Sequence, residues 1–170
     1  MQLILFRHGP AGRRDPDRWA DDSVRPLTAS GARLTRNVAE GLRRIKPDID
    51  HVVCSPLART RQTASVLASV LGTGEVEELD ALRPGAPVAD LLEFLAARVS
   101  DRGVVLVGHE PALGALATVL LFGTSAELPL KKAGACSIRF EGAPREHAGR
   151  LDWWMPPKLL RHAPKRKHSQ

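Results

Sequence analysis

Short runs of apolar residues alternate along this chain with longer segments in which apolar residues recur every three or four positions. The short runs are typical of buried strands, and the longer segments are typical of helices that pack on a sheet. We therefore predict strands at 2–6, 51–54, 75–79, 104–108, 136–141 and 150–155. We expect the last two strands to pair antiparallel across the loop between them.

Four helices are predicted between these strands. The first presents an apolar face from Leu34 to Ile45, and Thr28 is its expected N-cap. Ser55 is the expected cap of the second helix, and Gly72 follows its end. The other two helices are expected at 87–99 and 111–123.

The alternation of strands and helices predicts an α/β fold, namely a three-layer α/β/α sandwich around a mostly parallel sheet. A chain of 170 residues is long enough for one domain with a sizeable core. We expect the domain to cover residues 1–157 and the remainder, 158–170, to be a flexible basic tail.

The basic charge is concentrated in that tail. The formal net charge is +6, and the last 13 residues carry five Lys or Arg and no acid, so the rest of the chain is close to neutral. The excess is therefore expected on a solvated terminus and not on a face of the fold. A nucleic-acid partner is not expected.

Neither a membrane span nor a secretion signal is predicted. No apolar run approaches the ~20 residues of a spanning helix, and the start "MQLILFRHG" lacks a basic segment and a cleavage site. Cys54 and Cys136 lie in apolar strands and are expected to be buried thiols, which suits a reducing compartment. We expect a cytoplasmic protein without a membrane partner.

Two histidines and several arginines follow three of the predicted strands. Arg7 and His8 come after the first strand, Arg59 and Arg61 lie in the helix after the second, and His109 follows the fourth. In parallel sheets of this kind, ligands bind beyond the carboxyl ends of the strands. Either histidine alone is more often an ordinary loop residue, but together these residues indicate a site.

These residue types suit phosphoryl transfer. The arginine fork matches two phosphate oxygens, and a neutral histidine can accept a phosphoryl group on nitrogen. Nearby arginines are expected to lower the pKa of such a histidine by charge repulsion. The second histidine, if protonated, would donate to the phosphoryl oxygens. The charge pattern alone leaves open which histidine has which role.

The motifs "FRHG", "SPLARTRQTA" and "VGHEP" resemble those of the histidine phosphatase superfamily. The short chain, "DDSVRPLTASG" and the late "LDWWMPPKLLR" resemble its SixA-type phosphohistidine phosphatases. The resemblance implies a phosphoglycerate mutase-like fold, no cofactor or metal, and a phosphorylated protein or small phosphorylated molecule as substrate. It implies that His8 takes the phosphoryl group, that Arg7 and Arg59 hold its oxygens, and that His109 completes the pocket.

The general acid of many superfamily members has no clear counterpart here, because the region after the second helix is short. Arg61 falls at a variable motif position and is left out of the site, and Arg25 is interpreted as a structural anchor or a rim contact. The carboxylates considered as acids, none of which is assigned, are Asp21, Asp22, Glu77, Glu78, Asp80 and Glu110.

Two other functions remain open at this point. One is a small-molecule phosphomonoesterase that uses the same residues, and the other is a non-catalytic module that binds phosphorylated partners. A mutase is less favoured, since the chain has little insertion with which to enclose and reorient a substrate.

Overall fold

A six-stranded sheet with helices on both faces forms the centre of the computed structural model, which describes residues 1–164. The strands are β1 (Gln2–Arg7), β2 (His51–Cys54), β3 (Val76–Glu78), β4 (Gly103–Gly108), β5 (Ala135–Arg139) and β6 (Arg150–Met155). The helices are α1 (Ala29–Arg44), α2 (Ala58–Leu71), α3 (Val88–Ala96), α4 (Ala112–Phe122) and α5 (Pro157–Leu160).

The strand order is β3-β2-β4-β1-β5-β6. The first four strands of this order are parallel, whereas β5 pairs antiparallel with both β1 and β6. The predicted α/β fold with a mostly parallel sheet is confirmed, and so is the antiparallel pairing of the last two strands.

Alternation along β1 distributes its side chains between two cores. Leu3 and Leu5 pack with α3 and α4, while Ile4 and Phe6 pack with α1, α2 and α5. All four of these side chains are fully buried. Successive residues of a strand point to opposite faces, so a continuous apolar run is what a sheet covered on both faces requires.

The helix ends agree with the sequence at two of three predicted caps. Thr28 Oγ1 accepts a hydrogen bond from the backbone N–H of Gly31, and Gly72 adopts the left-handed conformation after α2. Ser55 does not cap α2, which begins three residues later at Ala58. The Ser55 side chain is therefore available for another contact.

The packed region extends beyond residue 157, where the tail was expected to begin. Residues 157–160 form α5, Leu160 is fully buried, and the carbonyl of Leu160 lies so close to Gly41 of α1 that a side chain there would collide with it. The basic residues 165–167 of the expected tail lie outside the described residues. No helix within residues 1–164 is both long and apolar enough to cross a bilayer.

Two adjacent leucines allow this packing to be tested. We expect Leu160→Ala to lower the free energy of unfolding by ~2–5 kcal/mol, because it opens a cavity beneath α5. Leu159 is 59% exposed, so Leu159→Ala is the matched control and should change stability by less than ~0.5 kcal/mol. Urea unfolding of both variants measures the difference, and equal stability of the two would show that α5 is not part of the packed domain.

Candidate active site

The carboxyl ends of three adjoining strands bring the predicted site residues together. β4 lies between β1 and β2, and the chain beyond each strand stays tied to the sheet. The backbone N–H of His8 donates to the carbonyl of Gly108, and that of Ser55 donates to the carbonyl of Val107. The His8 and His109 rings consequently lie with their centroids 5.1 Å apart.

His8 is held in one tautomer by the backbone. Its Nδ1 lies 2.7 Å from the carbonyl oxygen of Gly9, which can only accept, so Nδ1 carries the proton. Within residues 1–164, no protein group bonds to Nε2, and that nitrogen is not sealed from solvent. An imidazole of this form presents the Nε2 lone pair to the site.

Gly9 itself is fixed by α2. Its N–H donates to Thr63 Oγ1 at 3.1 Å, and the Thr63 hydroxyl donates to the carbonyl of Arg59. A Cβ on Gly9 would lie 2.2 Å from Thr35 Oγ1, so only glycine fits at this position of the motif.

Burial keeps both imidazoles neutral. Burial is the largest cause that lowers the pKa of His8 to about 4, and the charges of Arg59, Arg7 and Lys132 lower it further. Burial likewise lowers the pKa of His109 to about 3, with smaller contributions from His8 and Arg59. The predicted direction for His8 is confirmed, but desolvation is the main cause and charge repulsion is secondary. His109 is unprotonated in the free protein, unlike the protonated form considered from the sequence.

The Arg59 guanidinium group is held by the side chain and the backbone of Asp22. Arg59 Nη2 lies 3.1 Å from Asp22 Oδ2, and Nη1 donates to the Asp22 carbonyl at 2.9 Å. Arg25 Nε donates to the same carboxylate at 2.8 Å, and Arg25 Nη1 donates to the Gly12 carbonyl. Arg25 is therefore an anchor of the loop before α1. The hydrogen bond from Arg25, together with the Arg59 charge, keeps the pKa of Asp22 below its ordinary value.

Arg7 is held by the loop that contains Leu130. Its Nη1 donates to the carbonyl of Leu130 at 2.7 Å, and the N–H of Leu130 donates to Glu110 Oε1 at 2.8 Å. Glu110 Oε2 also accepts from the N–H of Gly114. Glu110 thus supports the loop that holds Arg7, while burial raises the pKa of its carboxyl.

Two site arginines retain unused donors. Among the described residues, three buried polar side-chain atoms lack a hydrogen-bond partner, and they are Arg7 Nε, Arg59 Nε and Thr73 Oγ1. Buried donors are almost always paired in folded proteins. A tetrahedral oxyanion at the site would supply acceptors for both guanidinium groups.

The other residues considered from the sequence are less central. Arg61 lies 3.5 Å from Glu78, and both side chains are about half exposed. Glu77 bonds to Arg98, and Asp80 bonds to Arg83. Within residues 1–164, no group of three or more His, Cys, Asp or Glu side chains is arranged to hold a metal ion. Sequence reasoning did not foresee the contact between Ser55 Oγ and His109 Nε2, which are 3.1 Å apart.

Comparison with known proteins identifies the relatives of this arrangement. The model of the histidine phosphatase superfamily (branch 1) matches residues 3–84. Phosphohistidine phosphatase SixA of Escherichia coli (strain K12) is 30% identical over 166 residues, which cover 96% of this chain and 98% of that protein. An uncharacterized protein of Picosynechococcus sp. (strain PCC 7002) is 38% identical over 151 residues, which cover 87% of this chain and 90% of that protein.

A solved structure of the protein histidine phosphatase SixA complexed with tungstate has the same fold. It matches with a TM-score of 0.81 and 28% sequence identity over 93% of this chain and 98% of that chain. Since similarity in sequence and in fold extends over nearly the whole length, this chain belongs to the histidine phosphatase superfamily as a SixA-like phosphatase.

Proposed function

We propose that this phosphatase removes the phosphoryl group from phosphohistidine in proteins, through a covalent intermediate on His8. The observation that carries the proposal is the state of His8, whose Nδ1–H is bound to the Gly9 carbonyl and whose Nε2 is unprotonated and accessible. A neutral imidazole with one directed lone pair is the form that attacks phosphorus.

The proposed reaction has two displacements at phosphorus. In the first, the Nε2 lone pair of His8 forms a P–N bond as the bond between phosphorus and the substrate nitrogen breaks, and that nitrogen keeps the electron pair and takes a proton from solvent. In the second, water attacks phosphorus, the bond to His8 breaks and the electron pair returns to Nε2. Inorganic phosphate leaves, and the proton lost by the water passes to solvent.

Positive charge for both displacements would come from the protein. Arg7 and Arg59 would bind the phosphoryl oxygens through their guanidinium groups. His109 would complete the ring of donors. The mechanism uses no metal, so we propose that a chelator leaves the activity unchanged.

The proposed preference for phosphohistidine follows from the carboxylates near the site. Asp22 is ionised and engaged by two arginines, and Glu110 accepts two backbone hydrogen bonds. An alkyl phosphate needs a proton at its leaving oxygen, and general acid help is typically worth ~10²–10⁴ in rate. Imidazole has an ordinary pKa of about 6.5 and can be protonated from solvent as it leaves. Within residues 1–164, neither of these two carboxylates is free to act as the acid, and such a site favours P–N substrates.

The short segment between α2 and β4 supports a protein substrate, because it leaves little chain with which to enclose a small molecule. Between α2 and β4 the chain forms only β3, a 3-10 turn and α3, and the buried Leu91 and Leu95 of α3 pack on the sheet. Exposed Lys132 lies close enough for its charge to act on His8. The SixA relative is a protein histidine phosphatase, and its solved structure contains tungstate, which is a tetrahedral oxyanion like phosphate.

The proposed location of this protein is the cytoplasm. Its two unpaired thiols, Cys54 and Cys136, suit that reducing compartment.

A comparison of three substrates tests this function. We expect kcat/KM for a phosphohistidine-containing protein or peptide, and for p-nitrophenyl phosphate, to exceed that for a simple alkyl phosphate by ~10² or more, because only the alkoxide needs an enzyme acid. The reactions are run with and without EDTA. Equal turnover of the alkyl ester would favour the small-molecule phosphomonoesterase, and absence of turnover with all three would favour a binding module.

A further inference from the structure

The hydroxyl of Ser55 forms a hydrogen bond with Nε2 of His109. Ser55 Oγ lies 3.1 Å from His109 Nε2, and both residues are buried, with exposures of 0% and 5%. Ser55 lies between β2 and α2, where the sequence predicted a helix cap. The contact across 54 positions of the chain is therefore a property of the tertiary structure.

The need of the buried Ser55 hydroxyl hydrogen for an acceptor sets the direction of this hydrogen bond. Among the described residues, the Ser55 hydroxyl is hydrogen-bonded to His109 Nε2 alone, so a hydroxyl that only accepted would leave its own hydrogen buried without an acceptor. Such an unsatisfied group is costly, whereas donation to Nε2 satisfies both atoms. In a neutral imidazole that accepts at Nε2, the proton must be on Nδ1.

The Nδ1 of His109 is directed away from this contact. Within residues 1–164 it has no hydrogen-bond partner, yet it is not sealed from solvent. The charged or titratable groups that act most strongly on the pKa of His109 are His8, Arg59, Asp22 and Arg25. Burial among these groups keeps the ring neutral at pH 7, so a proton on Nδ1 comes from tautomer choice and not from an added proton.

We infer that Ser55 is a positioning residue, which fixes His109 in the Nδ1–H tautomer so that the neutral ring donates to a phosphoryl oxygen. This inference rests on the proposed function of the site. The two histidines then share one tautomer but present opposite atoms to the substrate. His8 Nδ1–H is turned to the Gly9 carbonyl and its Nε2 lone pair is free, whereas His109 Nε2 is covered and its Nδ1–H is free. One ring attacks phosphorus and the other stabilises the charge on its oxygens.

Nitrogen-15 NMR of the imidazole rings at pH 7 tests the inference directly. In the wild-type protein we expect both His8 and His109 to show a protonated Nδ1 and an unprotonated Nε2, with each signal assigned from the spectrum of the corresponding histidine variant. In Ser55→Ala, the His109 signals should shift towards the Nε2–H form, while those of His8, whose carbonyl partner is retained, stay unchanged. His8 is thus an internal control in the same spectrum.

Kinetics of matched serine variants give the second readout. We expect Ser55→Ala to lower kcat about tenfold, the scale of one neutral hydrogen bond, with a smaller effect on KM. Ser55→Thr, which keeps the hydroxyl, should show less of this loss. Ser137→Ala is the control, because Ser137 is also fully buried but bonds to Gln2 on the sheet, and it should leave kcat within about twofold.

Separate results bear on the inference and on the proposed function. Wild-type His109 with a proton on Nε2 or on both nitrogens, or an unchanged His109 spectrum in Ser55→Ala, would overturn the inference even if the protein is an active phosphatase. A protein that shows the expected tautomers but turns over no phosphorylated substrate would instead refute the proposed function and leave the tautomer assignment standing.

Discussion

Replacement of His8 by alanine is expected to lower phosphatase activity by ~10³ or more, the scale seen when a covalent nucleophile is removed. The reason is that the accessible Nε2 lone pair of His8 would form the bond to phosphorus. Neither neighbouring guanidinium group can replace it, because arginine stays protonated. The measurement is the steady-state rate with p-nitrophenyl phosphate.

A chemical readout should accompany the loss of rate. The wild-type enzyme is quenched with alkali within the first turnovers and mapped by peptide, because acid would hydrolyse a phosphohistidine. Phosphate is expected on the peptide that contains His8. His51→Ala is the control, since the His51 side chain is 47% exposed and lies beside Asp101 at the opposite end of β2. Substantial activity in His8→Ala would rule out the covalent mechanism.

The pH dependence provides a further check on His8. Its pKa is lowered to about 4, so the ring stays neutral down to the region of that value. We therefore expect the acidic limb of kcat/KM to lie near pH 4 and not near the ordinary value of about 6.5.

Replacement of Arg59 is expected to have the second-largest effect. Arg59→Ala should lower kcat by ~10²–10³, as is typical when a preorganised donor to a developing charge is lost. Arg59→Lys should also be impaired, because an ammonium group cannot donate to Asp22 and lie side-on to an oxyanion at the same time. Competition by vanadate should weaken in parallel, and this reports on the anion site without turnover.

The same helix supplies a control for Arg59. Arg61 is two residues further along α2, its side chain is 53% exposed, and it lies 3.5 Å from Glu78. Arg61→Ala and Arg61→Lys should retain nearly wild-type rates, since exposed ion pairs are typically worth under ~1 kcal/mol. Rates of Arg59→Ala close to those of Arg61→Ala would remove Arg59 from the proposed mechanism.

Much of this arrangement was predictable from local sequence patterns. Arg7, His8 and His109 follow apolar runs, and parallel strands place their carboxyl ends at one edge of the sheet. Residues 3–6 of β1 are all apolar because the sheet is covered on both faces. Periodicity and turn chemistry act over a few residues, so they also predict Thr28 and Gly72 at the helix ends.

The tertiary structure alone decided the contacts that tune the site. Asp22 meets Arg59 across 37 positions and Ser55 meets His109 across 54, and no local pattern encodes which loop approaches which strand. Burial depends on the packing of the whole chain and cannot be predicted from a local pattern. The sequence therefore suggested charge repulsion as the cause of the lowered pKa of His8, whereas desolvation is the larger cause. The place of Leu160 was likewise decided by the tertiary structure. A helix of four residues is too short to show an apolar period in the sequence, and only the packing of Leu160 against α1 shows that α5 belongs to the domain.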